Sequence, residues 1–322
     1  MNTRIIFMGT PAYAARVLEG LGRAGYNVVA CFAQPDKPAG RKLQLVEPAV
    51  KQSAKELGIP VYQPASIRGQ DAEELIASLC PDLIISAAYG KILPKNILNI
   101  PNKGCLNVHG SLLPKYRGAA PVQWAIYNGD DKTGVTIMHM DDGIDTGDII
   151  SVAETPITLD MNAAILMDEL STLGTELLIK TLPGYLSGKI IATPQEHSEA
   201  TYAPMITKEQ GRIDWSRSAM EIHNQIRAFS IWPAAYTTYK GRTLKIHCSY
   251  VESDQSKILC DYRDTAADPK PGTIICAHKD VLAVACGQGV LCLSCIQPES
   301  CRRMFSEECA HNYTVSEVFG EE

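Results

Sequence analysis

Two polar side chains, Asn107 and His109, alternate with apolar residues just before Gly110. The alternation predicts the end of a strand, and residues two apart on a strand point to the same side. Asn107 and His109 are therefore expected to project together. An amide donor beside an imidazole, at the carboxyl end of a strand in an α/β sheet, suits a reaction at a carbonyl group. The same pair could instead satisfy the backbone of a loop, and these two residues alone leave both interpretations open.

An acidic segment, residues 141–148, holds four aspartates and two glycines. Strand-like runs at 135–138 and 149–152 flank it, so the acids are expected on a loop held between two strands. The spacing differs from that of a calcium loop, and the glutamate at the twelfth position is missing. A solvated turn is the other interpretation of such a stretch. If the loop is ordered, one of its carboxylates could reach a histidine.

The elements that would position these residues alternate between strand and helix along the first part of the chain. Short connections between them predict a Rossmann-like α/β domain, with a parallel sheet covered on both faces. Thr10 is expected to cap the first helix, with Pro11 at its first position. The predicted strands cover residues 4–8, 27–32, 60–62 and 83–87, and the predicted helices cover residues 14–21, 46–57 and 71–79.

Three cofactor patterns are absent from the sequence. The first strand is followed by Gly9 alone, without the further glycines that a dinucleotide fingerprint needs, so NAD is not expected. No phosphate-binding P-loop pattern occurs either. Cys292 and Cys295 form half of a zinc ribbon whose second pair is missing, and they lie in a strand-like apolar run. We therefore expect no metal.

A change of pattern divides the chain. A helix over 163–182 is expected to end the first domain, and we predict boundaries at 1–189 for the catalytic domain, 190–207 for a linker and 208–322 for a C-terminal domain. A helix over 220–229 precedes five β-rich runs, which predict a small OB-like β-barrel. The predicted strands of that barrel cover residues 235–239, 243–250, 272–276, 281–285 and 290–296.

Composition narrows the functional classes. The chain has 322 residues and a net charge of −6, and residues 208–322 alone carry a net charge of −2. This charge argues against a surface devoted entirely to nucleic acid, although basic residues cluster between 208 and 245. No apolar run is long enough to span a membrane, and the apolar run near the N-terminus is too short for a signal peptide, so we expect a cytoplasmic protein. The odd number of cysteines, eleven, indicates reduced thiols.

Several strings of residues resemble the 10-formyltetrahydrofolate-dependent formyltransferases. The longest runs from Asn107 to Gly118 and includes the letters HGSLLPKYRG, and a second runs from Asp142 to Asp148. Residues 6–11, 34–41 and 231–237 add further likeness, so the resemblance covers nearly the whole chain. Within the family, the likeness is greatest to members whose acceptor is methionyl initiator tRNA. It implies formyl transfer from 10-formyltetrahydrofolate to the α-amine of that tRNA, by a monomer that needs no metal and no NAD.

The resemblance also implies residue roles. Asn107, His109 and Asp145 match the catalytic asparagine, histidine and aspartate. The folate-binding positions are Ser111, Leu112, Leu113, Pro114, Tyr89, Gly90, Lys91, Ile92 and Asp142. Together with the basic cluster of the C-terminal domain, the resemblance gives tRNA-binding candidates at Arg41, Lys42, Lys208, Arg242 and Lys245. The family pattern G-R-G-K-K-L is shortened here to Gly40-Arg41-Lys42-Leu43.

Two other hypotheses about function compete with formyl transfer to initiator tRNA. A different acceptor, an amino sugar or glycinamide ribonucleotide, would keep the same chemistry, but the glycinamide-ribonucleotide enzyme is shorter and lacks a C-terminal barrel. The loop at 34–41 distinguishes the chain from the sugar enzymes. The other hypothesis is a catalytically silent RNA-binding protein with the same fold. The intact set of Asn107, His109 and Asp145 argues against it.

Overall fold

The computed structural model describes residues 3–39, 44–252, 269–278 and 280–321. The chain forms two compact units. Unit 1 comprises the described residues of Met1–Pro121, Lys132–Pro156 and Ile165–Pro204, and unit 2 those of Val122–Asp131, Ile157–Ala164 and Met205–Glu322. The chain thus passes between the units more than once. The domain boundaries predicted from the sequence stay predictions.

The helices and strands of the described residues are numbered along the chain. The strands are β1 Arg4–Gly9, β2 Asn27–Phe32, β3 Lys37–Ala39, β4 Gln44–Val46, β5 Val61–Tyr62, β6 Leu83–Ala87, β7 Cys105–His109, β8 Arg117–Gly118, β9 Lys132–His139, β10 Ile149–Pro156, β11 Tyr202–Ala203, β12 Ala235–Tyr239, β13 Arg242–Val251, β14 Ile274–His278, β15 Val281–Ala285, β16 Val290–Pro298 and β17 Met304–Phe305. The helices are α1 Ala12–Arg23, α2 Ala49–Glu56, α3 Gln70–Ser78, α4 Lys95–Leu98, α5 Pro121–Tyr127, α6 Ala163–Leu186, α7 Ala219–Ala228 and α8 Ser306–Cys309.

Unit 1 is built on a seven-stranded sheet in the order β10-β9-β7-β6-β1-β2-β5. In this order, the five strands β7, β6, β1, β2 and β5 run parallel to one another. Strand β9 pairs antiparallel with β7, and β10 pairs antiparallel with β9 at the edge of the sheet. All five residues of β6 are buried, as expected for a parallel strand covered on both faces. The predicted parallel-sheet α/β domain is confirmed. The strand order reverses between β1 and β6, and in open α/β sheets such a point opens a crevice at the carboxyl ends of the strands.

The start of α1 differs from the prediction. The helix begins at Ala12 and Pro11 occupies its cap position, so Thr10 lies one residue outside the cap. The Thr10 hydroxyl instead donates to the carbonyl of Tyr89 at 2.9 Å. The prediction failed because a hydroxyl beside a helix start can also bond to a neighbouring loop, and here the loop after β6 lies within reach.

Unit 2 contains an antiparallel sheet in the order β12-β13-β16-β15-β14, with β17 added along β16. The five predicted β-rich runs form five of these strands, so the antiparallel β domain is confirmed. Helix α7 begins with a capping box between Ser218 and Glu221, and it buries Ile222 and Ile226 in the same core as Leu244 and Leu291. The strand β13 alternates buried Leu244 and Ile246 with the exposed Lys245, which gives the sheet an apolar and a polar face.

Three findings concern cysteines, metals and membranes. None of the ten cysteines within the described ranges forms a disulfide, and seven of them are buried. In the part of the chain that the structure describes, no three His, Cys, Asp or Glu side chains group as a metal site would require. Among the same residues, no helix combines the length and the apolar character needed to cross a membrane.

A buried histidine gives unit 2 a predicted dependence on pH. The Nε2–H of His223 donates to the carbonyl of Leu159, and Nδ1 lies 3.0 Å from the Ser249 hydroxyl, which can donate to it. Burial lowers the pKa of His223, and the nearby Arg227 guanidinium acts in the same direction. The unfolded chain therefore binds more protons near pH 6, so the stabilisation that neutral His223 contributes is present above about pH 6.5 and is lost as the pH falls below it.

We expect the urea midpoint of unit 2 to fall between pH 7.5 and pH 5.5, and this fall to shrink in a His223→Gln variant. The three tryptophans of the chain, Trp124, Trp215 and Trp232, lie in unit 2, so tryptophan fluorescence reports its unfolding. The exposed His311 supplies the control, because His311→Gln should leave the pH dependence as it is in the parent chain. An identical pH dependence in the parent and in His223→Gln would contradict the prediction.

Candidate active site

Asn107 and His109 lie at the carboxyl end of β7 and project together, as the alternation predicted. His109 is buried, with 6% of its surface exposed. Its Nε2 lies 3.0 Å from the carbonyl oxygen of Tyr116. Because a carbonyl can only accept, Nε2 must carry the hydrogen, and Nδ1 keeps a lone pair in the neutral ring. The backbone of the loop after β7 therefore fixes which ring nitrogen can take up a proton.

Asp145 brings its carboxylate to the same strand end from the loop between β9 and β10. Its Oδ2 accepts from the backbone N–H of Gly118 at 2.8 Å and lies 3.7 Å from His109 Nδ1. Its Oδ1 lies 3.5 Å from Asn107 Nδ2, at the outer limit for a hydrogen bond. The structure thus brings together the three residues that the resemblance assigned to catalysis. The backbone of Asp145 has φ 53°, a left-handed conformation that non-glycine residues adopt at a cost.

The arrangement of polar atoms limits what the site can bind. The Nδ1 lone pair of His109 and the Asp145 carboxylate face each other across 3.7 Å, too far for a direct hydrogen bond. Both groups accept hydrogen bonds, so an N–H or O–H donor placed between them would satisfy both. Asn107 offers the opposite character, because its amide can donate to a carbonyl oxygen. The site therefore suits a carbonyl compound and an amine that meet beside β7.

The loop from Ser111 to Gly118 is shaped by bonds to its own backbone. The hydroxyl of Ser111, which is fully buried, donates to the carbonyl of Lys115 at 2.7 Å. Thr136 on β9 donates to the carbonyl of Ser111 at 2.7 Å and accepts from the N–H of Leu113 at 3.2 Å. The folate-binding roles given to Ser111, Leu112, Leu113 and Pro114 stay predictions. The buried Ser111 hydroxyl serves the loop in this structure.

A second segment of chain holds this loop, and no pattern in the sequence predicted it. The strand β11, inside the predicted linker, pairs in parallel with β8. The carbonyl of Thr201 accepts from the N–H of Arg117 and its hydroxyl accepts from the N–H of Tyr116, each at 2.9 Å. The side chain of Gln195 bonds to both Arg117 and the Asp145 loop. A short polar stretch carries no periodicity that could have predicted these contacts.

The loop after β6 lies at the same edge of the sheet. Tyr89 is 2% exposed, and its carbonyl accepts from Thr10 and from the Gln34 side chain. Its buried hydroxyl has no hydrogen-bond partner among the residues that the structure describes, and burial raises its pKa to about 12. The Lys91 ammonium donates to the carbonyls of Pro64 and Ala65, and burial lowers its pKa. Gly90 and Ile92 are exposed, so this edge presents both backbone and apolar surface.

The acidic loop is ordered by its own side chains. Asp141 accepts from the N–H of Gly143 and from the hydroxyl of Thr146. A Cβ at Gly147 would lie 2.1 Å from the carbonyl of His139, so this position requires glycine. Asp142 is exposed, and its contact with folate stays a prediction. The interpretation of this stretch as a freely solvated turn does not describe Asp145, which is largely covered.

The tRNA-binding candidates are distributed over both parts of the sequence. Lys208, Arg242 and Lys245 are exposed in unit 2, the last two on β13. On the same strand, burial lowers the pKa of His247, and the charges of Arg303 and Lys245 act in the same direction. Arg41 and Lys42 fall outside the described residues.

Comparison with known families covers both parts of the chain. The family model for formyl transferase matches residues 2–182, and the model for the formyl transferase C-terminal domain matches residues 205–314. The chain belongs to the formyl transferase family.

Two relatives that are similar to the chain over almost its whole length are methionyl-tRNA formyltransferases. The methionyl-tRNA formyltransferase of Acetivibrio thermocellus is 45% identical over 99% of this chain and 100% of its own length. That of Listeria innocua is 44% identical over 99% of this chain and 100% of its own length.

Among solved structures, an N-formyltransferase from Helicobacter canadensis, in complex with folinic acid and dTDP-3-aminofucose, shares 20% identity and a TM-score of 0.67. The match covers 92% of this chain and 99% of that one. HypX from Aquifex aeolicus, in complex with tetrahydrofolic acid, shares 17% identity and a TM-score of 0.64, over 96% of this chain and 47% of that one. These structures establish the shared fold.

The bonds that shape the 111–118 loop predict a specific loss of stability. Thr136→Val keeps the side-chain shape but leaves the Ser111 carbonyl and the Leu113 N–H buried without a partner. We expect a loss of about 2 kcal/mol or more, because each unsatisfied buried group costs about 1–3 kcal/mol. Urea unfolding followed by circular dichroism measures it. Thr136→Ser is the matched control, because it retains the hydroxyl and loses one methyl group. A valine variant as stable as the serine variant would contradict the expectation.

Proposed function

We propose that the chain transfers the formyl group of 10-formyltetrahydrofolate to the α-amine of methionyl initiator tRNA. The observation that carries the proposal is the match, at about 45% identity over both parts of the chain, to enzymes named for that acceptor. The grouping of Asn107, His109 and Asp145 at the end of β7 supports the chemistry. The solved sugar formyltransferases share only the fold at this level of identity, which leaves them as the second candidate.

We propose that Asn107 stabilises the charge that develops on the formyl oxygen. The formyl donor supplies an electrophilic carbon, and attack by the amine moves negative charge onto its oxygen. The Asn107 amide can donate to that oxygen from a position fixed by β7. Removal of one such donor typically costs about a hundred- to a thousandfold in rate.

The proton of the attacking amine has two acceptors within one site. An amine between His109 and Asp145 could donate to Nδ1 and Oδ2 at once, because neither atom donates to the other. We propose that His109 takes the proton at Nδ1, while Asp145 stabilises the imidazolium by Coulomb attraction. The proton then passes to the departing folate nitrogen as the bond from that nitrogen to the formyl carbon breaks.

We propose that the edge formed by the loop after β6 binds the flat ring of a folate. Its exposed backbone at Gly90 can donate and accept hydrogen bonds, and the exposed Ile92 provides apolar contact. The buried hydroxyl of Tyr89, which lacks a partner among the described residues, can add a donor if a bound ligand reaches it. We assign Tyr89, Gly90 and Ile92 to folate binding on this basis, and the resemblance adds Lys91, the segment 111–114 and Asp142.

The acceptor would be held by cations of both sequence regions. Lys208, Arg242 and Lys245 are exposed and suited to phosphate contacts, and Arg41 and Lys42 complete the proposal from the sequence. We also propose that the protein acts as a monomer in the cytoplasm. Residues 1–189, 190–207 and 208–322 remain the proposed catalytic, linking and tRNA-binding parts.

The acceptor is tested by parallel transfer assays. Purified protein and 10-formyltetrahydrofolate are offered methionyl initiator tRNA, methionyl elongator tRNA and an amino-sugar nucleotide. We expect strong transfer to the initiator tRNA alone. The resemblance implies that Arg41 contacts the acceptor stem of that tRNA, and the proposed phosphate contacts of the other cations require a nucleic-acid acceptor. Turnover of the sugar without either tRNA would keep the proposed chemistry and overturn the acceptor. No transfer to any acceptor would favour a silent RNA-binding protein.

The role of Asp145 is tested by Asp145→Asn. Asparagine tolerates the left-handed backbone and can still accept from the Gly118 N–H, so we expect the loop to keep its shape. The lost charge should lower kcat at least about a hundredfold, because proton transfer to His109 contributes about a hundred- to ten-thousandfold and would lose the carboxylate that stabilises the imidazolium. The dissociation constant for folate should stay within about threefold of the parent value.

The control for that variant is Asp148→Asn, the same chemical change on an exposed residue of the same loop. Its kcat should match that of the parent protein within about twofold. Unchanged turnover in Asp145→Asn would remove Asp145 from the mechanism.

A further inference from the structure

Gln195 lies in a buried position between two parts of the candidate active site. Only 6% of its surface is exposed. Its Oε1 accepts from Arg117 Nε at 3.1 Å and from Arg117 Nη2 at 2.7 Å. Its Nε2 donates to the carbonyl of Asp145 at 2.9 Å and to that of Gly147 at 2.7 Å. All four hydrogen-bonding positions of the carboxamide are therefore used.

Arg117 shares this buried position. It is 3% exposed, and its guanidinium also contacts His197, with Nη2 lying 3.0 Å from Nδ1. Within residues 3–39, 44–252, 269–278 and 280–321, no carboxylate forms an ion pair with its guanidinium. A buried cation needs strong acceptors, and it polarises the amide that accepts from it. The Gln195 N–H groups that face the Asp145 loop are therefore better donors than those of an isolated amide.

The two carbonyls that Gln195 binds flank the strained part of the loop. Asp145 holds a left-handed backbone, which costs free energy in a non-glycine residue, and Gly147 is packed against the carbonyl of His139. Bonds to the carbonyls of residues 145 and 147 hold the backbone on both sides of Thr146. The carboxylate of Asp145 is then fixed against the Gly118 N–H and toward His109.

We infer that Gln195 is a positioning residue for Asp145. Buried Arg117 holds the Gln195 carboxamide, and the carboxamide in turn holds the loop that carries the Asp145 carboxylate. The inference rests on the proposed role of Asp145 in formyl transfer. It assigns a function to a residue within the segment predicted as a linker. It also gives Arg117 a role, as the anchor whose guanidinium orients the carboxamide.

The variant Gln195→Glu separates this role from simple packing. A glutamate has the same shape and keeps an acceptor for Arg117, but it replaces the two donors with an oxygen that faces the carbonyls of Asp145 and Gly147. If Gln195 serves only to pair the buried arginine, Gln195→Glu should match the parent protein. If it positions Asp145, kcat should fall about ten- to a hundredfold, because small misplacements of a reacting group have effects of that size.

The expected signature is a loss in kcat with KM for folate and for methionyl initiator tRNA within about threefold of the parent values. Gln52→Glu makes the same charge change on the exposed face of α2 and should leave both constants unchanged. Gln195→Ala provides a second variant if the glutamate prevents folding, and it should show the same division between kcat and KM. A kcat within about twofold of the parent value in a folded Gln195 variant overturns the inference.

A second measurement needs no acceptor. Hydrogen exchange by mass spectrometry, on peptides that cover residues 141–148, should be at least tenfold faster in Gln195→Glu than in the parent protein. Exchange in β6 should stay the same. Parent-like exchange in the loop overturns the inference even if the proposed acceptor is wrong. Failure of the parent protein to use methionyl tRNA would instead overturn the proposed function and leave the exchange test valid.

Discussion

The candidate site depends on holding one carboxylate in a left-handed turn against the end of a buried strand. Asp145 cannot keep that position through its own conformational preference, so the surrounding backbone must supply the restraint. It does so from two directions: the Gly118 N–H binds the carboxylate, and Gln195 binds the carbonyls on the loop. The distances among Asn107, His109 and Asp145 follow from these restraints. The geometry that the proposed chemistry needs is thus held largely by hydrogen bonds of groups that contact no reacting atom.

The tautomer of His109 illustrates the same dependence. The bond from Nε2 to the Tyr116 carbonyl makes Nδ1 the nitrogen that faces Asp145. The Tyr116 carbonyl is fixed in turn because the N–H of Tyr116 donates to Thr201 and the N–H of Arg117 donates to the Thr201 carbonyl. A segment about ninety residues further along the chain therefore helps determine which nitrogen can accept a proton.

Local patterns predicted much of this fold because its strands and helices follow simple periodicities. The buried run of β6 and the alternation around Asn107 and His109 are both visible in single stretches of sequence. The predicted cap of α1 was wrong because the Thr10 hydroxyl bonds to a loop that is distant in sequence. The contacts of Gln195 could not be predicted, because they depend on which segments the fold brings together. The resemblance supplied the role of Asp145, whereas its spacing in an acidic loop alone left a solvated turn equally open.

The pairing of β11 with β8 has a consequence for how the chain is made. During synthesis the motif of residues 107–118 leaves the ribosome long before Thr201 and Ala203, whose carbonyls accept from the N–H groups of Arg117 and Ala119. Until those residues emerge, the loop lacks its hydrogen bonds to Thr201, to Ala203 and to the carboxamide of Gln195. A nascent chain that ends with α6 already contains every strand of the seven-stranded sheet, but it lacks the residues that complete the edge beside β8. Recombination between relatives would therefore take both strands of that pair from one parent only when the junction falls outside residues 117–203.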